Sequence, residues 1–209
     1  MEMFIFMRII TQEELLAILE KRDEEAIDLN EVCFDKMDLQ GIDFHNINLS
    51  RSSFKNTNLS GANLRNCNLT GINIEGSNLF GANLEGAVIK DIVFDENTKY
   101  YNMACPEEGA FIGWKKCFNF RVVQLLIPAD AKRCSATYNA CRCNKAKVLS
   151  IKSIDYKESY DEAVSYADGN FKYRVGEWVI PSGFNDDRWN DSTEGIHFFM
   201  TREEAIAYL

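Results

Sequence analysis

Residues able to do chemistry are few in this chain, and their spacing is irregular. Its 209 residues include seven cysteines and two histidines. Cys141 and Cys143 stand one residue apart, with Cys105, Cys117 and Cys134 in the same region, a set whose thiolates are soft enough to hold zinc. The spacing argues against that use, because structural zinc sites separate paired cysteines by two or more residues and then repeat the pair. Reduced, buried thiols are the reading for these five, and Cys33 and Cys67 read as packing or corner residues. An odd cysteine count with no regular framework and no export signal predicts a cytoplasmic protein. His197 lies between Ile196 and Phe198 in a predicted strand, on the face opposite them, which suits a structural or surface histidine. His45 falls at an outward position and carries less interest still. No nucleophile sits at a telling distance from either histidine, and no glycine-rich phosphate loop is present. The sequence assigns no catalytic residue, metal ligand or cofactor, and predicts that the protein is not an enzyme.

Charge gives a second set of candidates. The chain carries a net charge of -9, and the acidity belongs to its first half: residues 1–26 hold seven acids and three bases, residues 27–96 ten and five, and residues 97–209 fifteen of each. Between residues 115 and 152, nine bases face the single acid Asp130. Such a run, interleaved with Trp114, Phe118, Phe120 and Tyr138, has the makings of a phosphate- and base-binding surface. The plainer alternative is a solvated basic face answered by the acids of residues 155–191, and the zero net charge of the region favours it. The candidate ligand or partner surface comprises Trp114, Lys115, Lys116, Arg133, Arg142, Lys145, Lys147, Trp189 and His197. Phe80 joins it, since its ring follows Leu79 at a place directed outward and calls for a cover, the C-terminal region being the simplest.

What must position these residues is dominated by a period of five. From Ile27-Asp28-Leu29 to Ile92-Val93-Phe94 a large apolar residue recurs at every fifth position through 14 units. Neither the 3.6 of a helix nor the 2 of a strand fits, so each unit must be one side of a stacked coil. Asn or Asp occupies the middle of most triplets and bonds local backbone at a corner. Gly41, Gly61, Gly71, Gly76, Gly81 and Gly86 follow two places after the central residue, where a positive φ is expected. Before the repeats, Thr11-Gln12-Glu13-Glu14 is a capping box opening a helix over 12–21, preceded by an extended segment over 3–10. After them, strands are predicted at 110–114, 121–127, 146–151, 171–175, 177–180 and 196–200, a helix at 160–166, and a terminal helix behind the capping box Thr201-Arg202-Glu203-Glu204.

The run Ser60-Gly61-Ala62-Asn63-Leu64 through Gly81-Ala82-Asn83-Leu84 resembles the pentapeptide repeat family. That resemblance implies a right-handed quadrilateral β-helix, with side chains twenty residues apart in register, so that Phe34, Phe54, Ile74 and Phe94 share a face. Large residues at Ile27, Val32, Met37, Ile42, Ile47, Ile72 and Ile92, where the family has small ones, imply less regular terminal turns. The stretches 108–116, 127–133, 141–148 and 195–199 resemble a domain of unknown function that accompanies such repeats in bacterial and phage proteins. The expected fold is thus mainly β, a pentapeptide-repeat solenoid with an N-terminal helical cap followed by a small α+β domain. Its expected divisions are a cap at 1–26, repeats at 27–96, a linker at 97–104 and a strand-rich domain at 105–209.

The expected function is a non-enzymatic repeat scaffold presenting a protein-interaction surface, with a protein partner and with dimers open. The family implies one alternative, since some acidic, duplex-sized members act on DNA gyrase as DNA mimics. Another is that residues 105–209 act on nucleotides or nucleic acid through the basic run. No membrane association is expected.

Overall fold

The computed structural model describes residues 7–21 and 27–208. It divides into two units, Met1–Asn102 and Met103–Leu209. The predicted extended segment at 3–10 lies partly outside the described residues; within them β1 (Arg8–Ile9) runs parallel to β2 (Val32–Cys33). Helix α1 (Gln12–Leu19) starts at Thr11, whose hydroxyl accepts from the Glu14 amide while the Glu14 carboxylate accepts from the Thr11 amide. Reciprocal satisfaction of two orphan donors fixes that start, and Leu15 is the residue the helix buries.

Residues 28–99 join by isolated parallel bridges, almost all between residues twenty apart: Asp28 to Asn48, Cys33 to Ser53, and so on to Asn73 with Val93. Between bridges the chain turns every five residues. Asn48, Asn58, Asn63, Asn68, Asn73, Asn78 and Asn83 each accept, through Oδ1, the amide two residues on. The left-handed corner is present, and it is not reserved for glycine. Glu31, Lys36, Asn46, Arg51, Asn56 and Asn66 adopt positive φ at the same place in their units, at a cost of roughly 1 kcal/mol each. Apolar centres are buried from Leu29 to Leu84, and the Phe34 and Phe54 rings stack at 4.7 Å. Buried hydroxyls do not go unanswered, since Ser52 and Thr57 donate to the carbonyls of Leu29 and Phe34 at 2.7 and 2.8 Å.

These observations correct the expected fold class. The sheets the described residues form are open, and none closes into a right-handed β-helix. Turning every five residues leaves one extended residue per side, too few for a strand, so the repeats contribute single bridges instead of continuous sheets. The solenoid, and the rod-like interaction scaffold that rested on it, are withdrawn with it.

The second unit is built on an antiparallel sheet of β3 (Phe111–Cys117), β4 (Arg121–Ile127), β7 (Ala146–Ser153) and β10 (Trp178–Val179). Strands β3 and β4 are joined by a tight turn in which Asn119 and Phe120 take positive φ. A second sheet orders β11 (Ile196–Phe198), β6 (Cys141–Cys143) and β5 (Arg133–Ser135). Residues 160–166, expected as helix, hold instead β8 (Glu162–Val164), paired with β9 (Lys172–Arg174). The alternation of Glu162, Ala163 and Val164 buries only Ala163, a strand period that outweighed the helical one. Helix α2 (Arg202–Ala207) closes the chain behind its capping box at Thr201. The core gathers Val123, Leu125, Ile127, Val148, Ile196 and Phe198. Gly113 is required there, since a Cβ on it would stand 2.5 Å from the Phe198 ring.

Candidate functional site

The basic run is where the sequence concentrated its candidates, and its side chains turn out to serve the domain's own backbone. Arg142, the middle residue of β6, is 2 % exposed. Its guanidinium donates to four carbonyls: Asn185 at 3.1 Å, Glu194 at 3.2 Å, Asp187 at 3.0 Å and Asn190 at 2.8 Å. A planar cation with fixed donors can gather a loop that has no strand partner for its own carbonyls. Arg133 does the same for another loop, donating to Gly109, Pro128, Ala129 and Ala131. Lys116 Nζ reaches the last carbonyls of the terminal helix, Ile206 at 3.0 Å and Tyr208 at 2.8 Å, a cation at a helix C-terminus. Arg121 donates to the Glu162 carbonyl, Lys145 pairs with Asp130 at 2.6 Å and Lys132 with Asp186 at 2.8 Å.

Four predicted residues do come together. His197 and Arg142 are register partners between β11 and β6, Lys115 Nζ donates to the His197 carbonyl at 3.2 Å, and Trp189 belongs to the loop that Arg142 holds. Burial pushes the Lys115 ammonium below its ordinary value, with Cys117 and Cys143 near it. Burial also lowers His197, although its Nε2 lies 2.9 Å from the Thr193 carbonyl. Asp191 is pushed up by burial against the opposing pull of His197 and Arg142. Trp189 donates its amide to Asp187 Oδ1, and the Arg188 guanidinium lies 4.2 Å over its ring. The arrangement fixes residues 185–194 against two strands; its donors point into the protein.

The other predicted residues are dispersed. Phe80 lies in the first unit, its ring 5.0 Å from Tyr100 in an edge contact and still exposed. Trp114 on β3 pairs with Phe199 through backbone bonds of 2.9 and 2.8 Å. Lys147 on β7 lies opposite Trp178. The thiols of the second unit are buried, with Cys117 and Cys143 pushed up to about 12 by burial and Cys141 raised by its hydrogen bond with Cys105. Among the described residues no group of three or more His, Cys, Asp or Glu is placed to hold a metal ion. A cavity in the repeats is lined by apolar residues such as Phe54, Leu69 and Ile74 together with Tyr101, and collects no Lys or Arg.

Both alternative functions are corrected by these positions. Three acids of the repeats are answered by bases twenty residues away, Glu31 by Arg51 at 3.0 Å, Glu75 by Lys55 at 2.7 Å and Glu85 by Arg65 at 3.2 Å, which interrupts the continuous acidic face a DNA mimic needs. Arg142, Arg133 and Lys116, committed to carbonyls, do not line a phosphate groove, so the nucleotide-acting reading loses its principal cations.

Sequence reasoning missed the most exposed apolar residues of the second unit's sheet. Trp178 is 53 % and Ile180 69 % exposed, either side of buried Val179, and Leu149 and Val175 are exposed near by in sequence on β7 and before β10. The signal was the alternation Trp178-Val179-Ile180, which turns two large apolar side chains away from the core.

The chain belongs to a family of unknown function (DUF5758), whose pattern matches residues 101–205, and residues 26–100 match a pentapeptide repeat region. No curated protein matches it. Among solved structures it is similar to the pentapeptide repeat protein Rfr23 from the cyanobacterium Cyanothece 51142, at 33% identity over 35% of this chain and 50% of that one, with a TM-score of 0.19. It is also similar to alr5209, a pentapeptide repeat protein from Nostoc PCC 7120, at 23% identity over 42% and 88% of the two chains, TM-score 0.20. A third is HetL, a pentapeptide repeat protein involved in heterocyst differentiation regulation in Nostoc sp. strain PCC 7120, at 23% identity over 32% and 46%, TM-score 0.19. The chain spans half the length of the first of these.

Proposed function

We propose that this chain is a non-catalytic binding protein of the cytoplasm whose second unit, Met103–Leu209, engages a protein partner. The role does not rest on the repeats. One observation carries it: Arg142, Arg133 and Lys116 are spent on the unit's own carbonyls, while large apolar side chains at one end of its main sheet, Trp178 and Ile180, are left in water. Side chains of that size on a sheet edge are costly in a solitary domain and are of use in recognition. Free thiols at all seven cysteines suit a reducing compartment.

A photo-crosslinking amino acid placed in the full chain at Tyr138, Tyr156, Trp178 and Ile180, and at the repeat positions Lys36, Arg65 and Asn83, tests the reading in cells. The expected result is a discrete protein adduct from one or more positions of the second unit and none from the repeats. Adducts confined to the repeats, or turnover of a metabolite by the purified chain, would overturn it.

A further inference from the structure

Among the described residues, strand β10 lies at the end of its sheet, paired on one side only. A bulge leads into it: Gly176, at φ +85, and Glu177 both bond to Val148, the Gly176 amide to its carbonyl and the Glu177 carbonyl to its amide, each at 2.9 Å. Val179 then pairs with Ala146 and Trp178 with Lys147. In an antiparallel ladder successive residues alternate in the side to which they present their backbone groups. With Val179 turned to β7, the amide and carbonyl of Trp178 and the amide of Ile180 face the open side.

Register also places a row of side chains on one face of the sheet, because residues directly opposite share a face. Ile112, Leu126, Lys147 and Trp178 form that row, and the rows of opposite parity, such as Gly113, Leu125 and Val148, are buried. Lys147 is the one charge in the row. Among the described residues it has no ion pair and no side-chain hydrogen bond, whereas Lys115, Lys116, Lys132, Lys145 and Lys152 each have a partner. An apolar row with an unanswered cation, beside unpaired strand groups, matches a ligand that is extended, partly apolar and acidic.

We propose that the open edge of β10 takes an extended acidic segment of a partner protein as a fifth strand, its apolar side chains on Trp178 and Ile180 and a carboxylate on Lys147. A second copy of this chain is the poorer occupant. The segment Trp178-Val179-Ile180 has no acid to answer Lys147, Pro181 follows at once, and a symmetric pair would place two lysines on one face. The proposal rests on the binding role given above and adds its place and chemistry.

The test uses the full chain and three blocked hexapeptides: alternating valine and glutamate, the same with lysine for glutamate, and the glutamate peptide N-methylated at alternate amides. Amide NMR shifts should move at residues 176–180 with the glutamate peptide, which should bind about tenfold tighter than the lysine peptide. Lys147→Glu should invert that order, and the N-methylated peptide should not bind. Equal affinity of the wild-type chain for the two charged peptides, shifts that map elsewhere, or self-association through β10 that the glutamate peptide fails to displace would each overturn it. Because the wild-type comparison alone decides, misfolding of a variant does not rescue the idea. Crosslinked adducts from Tyr138 or Tyr156 with no peptide effect at β10 would sink this inference and leave the binding role standing.

Discussion

The Arg142 guanidinium lies 2.8 Å from the Asn190 carbonyl, forty-eight residues away along the chain, and holds three further carbonyls with the same group. Replacing it deprives four part-buried carbonyls of the donor they share. Arg142→Met should cost about 3 kcal/mol or more and should expose amides 185–190 to rapid hydrogen exchange. Arg142→Lys should recover little, because an ammonium cannot present the same fork of donors. Urea unfolding midpoints measure both; a loss of a few tenths of a kcal/mol would mean that the loop holds itself.

The stacked Phe34 and Phe54 rings are 1 % exposed or less. Phe54→Ala should therefore cost about 3–5 kcal/mol. His45 is half-buried and bonds the neighbouring Asp43, so His45→Ala should move the midpoint by about 0.5 kcal/mol or less. Similar small effects from the two would show that the repeats are not packed through their central residues.

Gly41 and Gly76 share a φ of +69 but differ in surroundings, with open space around the first and the Asn56 amide oxygen 2.3 Å from where a Cβ would stand on the second. Gly41→Ala should cost about 1 kcal/mol for the backbone alone. Gly76→Ala should cost more, and the double change with Asn56→Ala should return it to the Gly41 value. Denaturation of the four proteins under one condition decides the matter.

Asp95 is held down to about 2 by hydrogen bonds from Asn97, the Gly76 amide and Thr98. Its folded value lies below its unfolded one, so its contribution is complete above about pH 4 and is lost as the pH falls toward 2. Thermal melts between pH 5 and pH 2 should show a steeper decline for the wild type than for Asp95→Asn. Parallel declines would deny Asp95 that role.

Burial at Cys117 and Cys143 predicts thiols that iodoacetamide barely touches at pH 8, whereas Cys33, half-buried on β2, should alkylate first. Intact-mass time courses with peptide mapping follow the order. Early modification of Cys143 would mean that β6 opens readily.

Much of the local structure could be read from residue order. Thr11 and Thr201 each announce a helix start because the capping box is a contact among four successive residues. The pairing of β3 with β4 was visible in the runs on either side of Phe118-Asn119. What escaped is long-range. Arg142, between Cys141 and Cys143, looked like a surface base, since nothing in three residues tells that the middle one is buried under a loop fifty residues on. The basic run looked like a surface for the same reason: its acceptors are carbonyls, which every residue has and no composition records. Within the repeats the period located the corners correctly, but the step from period to a closed β-helix was more than single-residue bridges support.

The twenty-residue offset of those bridges constrains how such a chain can change its length. Duplicating a segment of twenty residues would set Phe upon Phe and keep pairs such as Arg51 with Glu31 and Asn66 with Asn46 in line. Inserting a single unit of five would leave every corner intact yet break the twenty-residue offset, so that Phe54 no longer covered Phe34 and Arg51 no longer met its acid. Evolutionary insertions and deletions in this region should therefore be tolerated in steps of twenty residues and purged in steps of five.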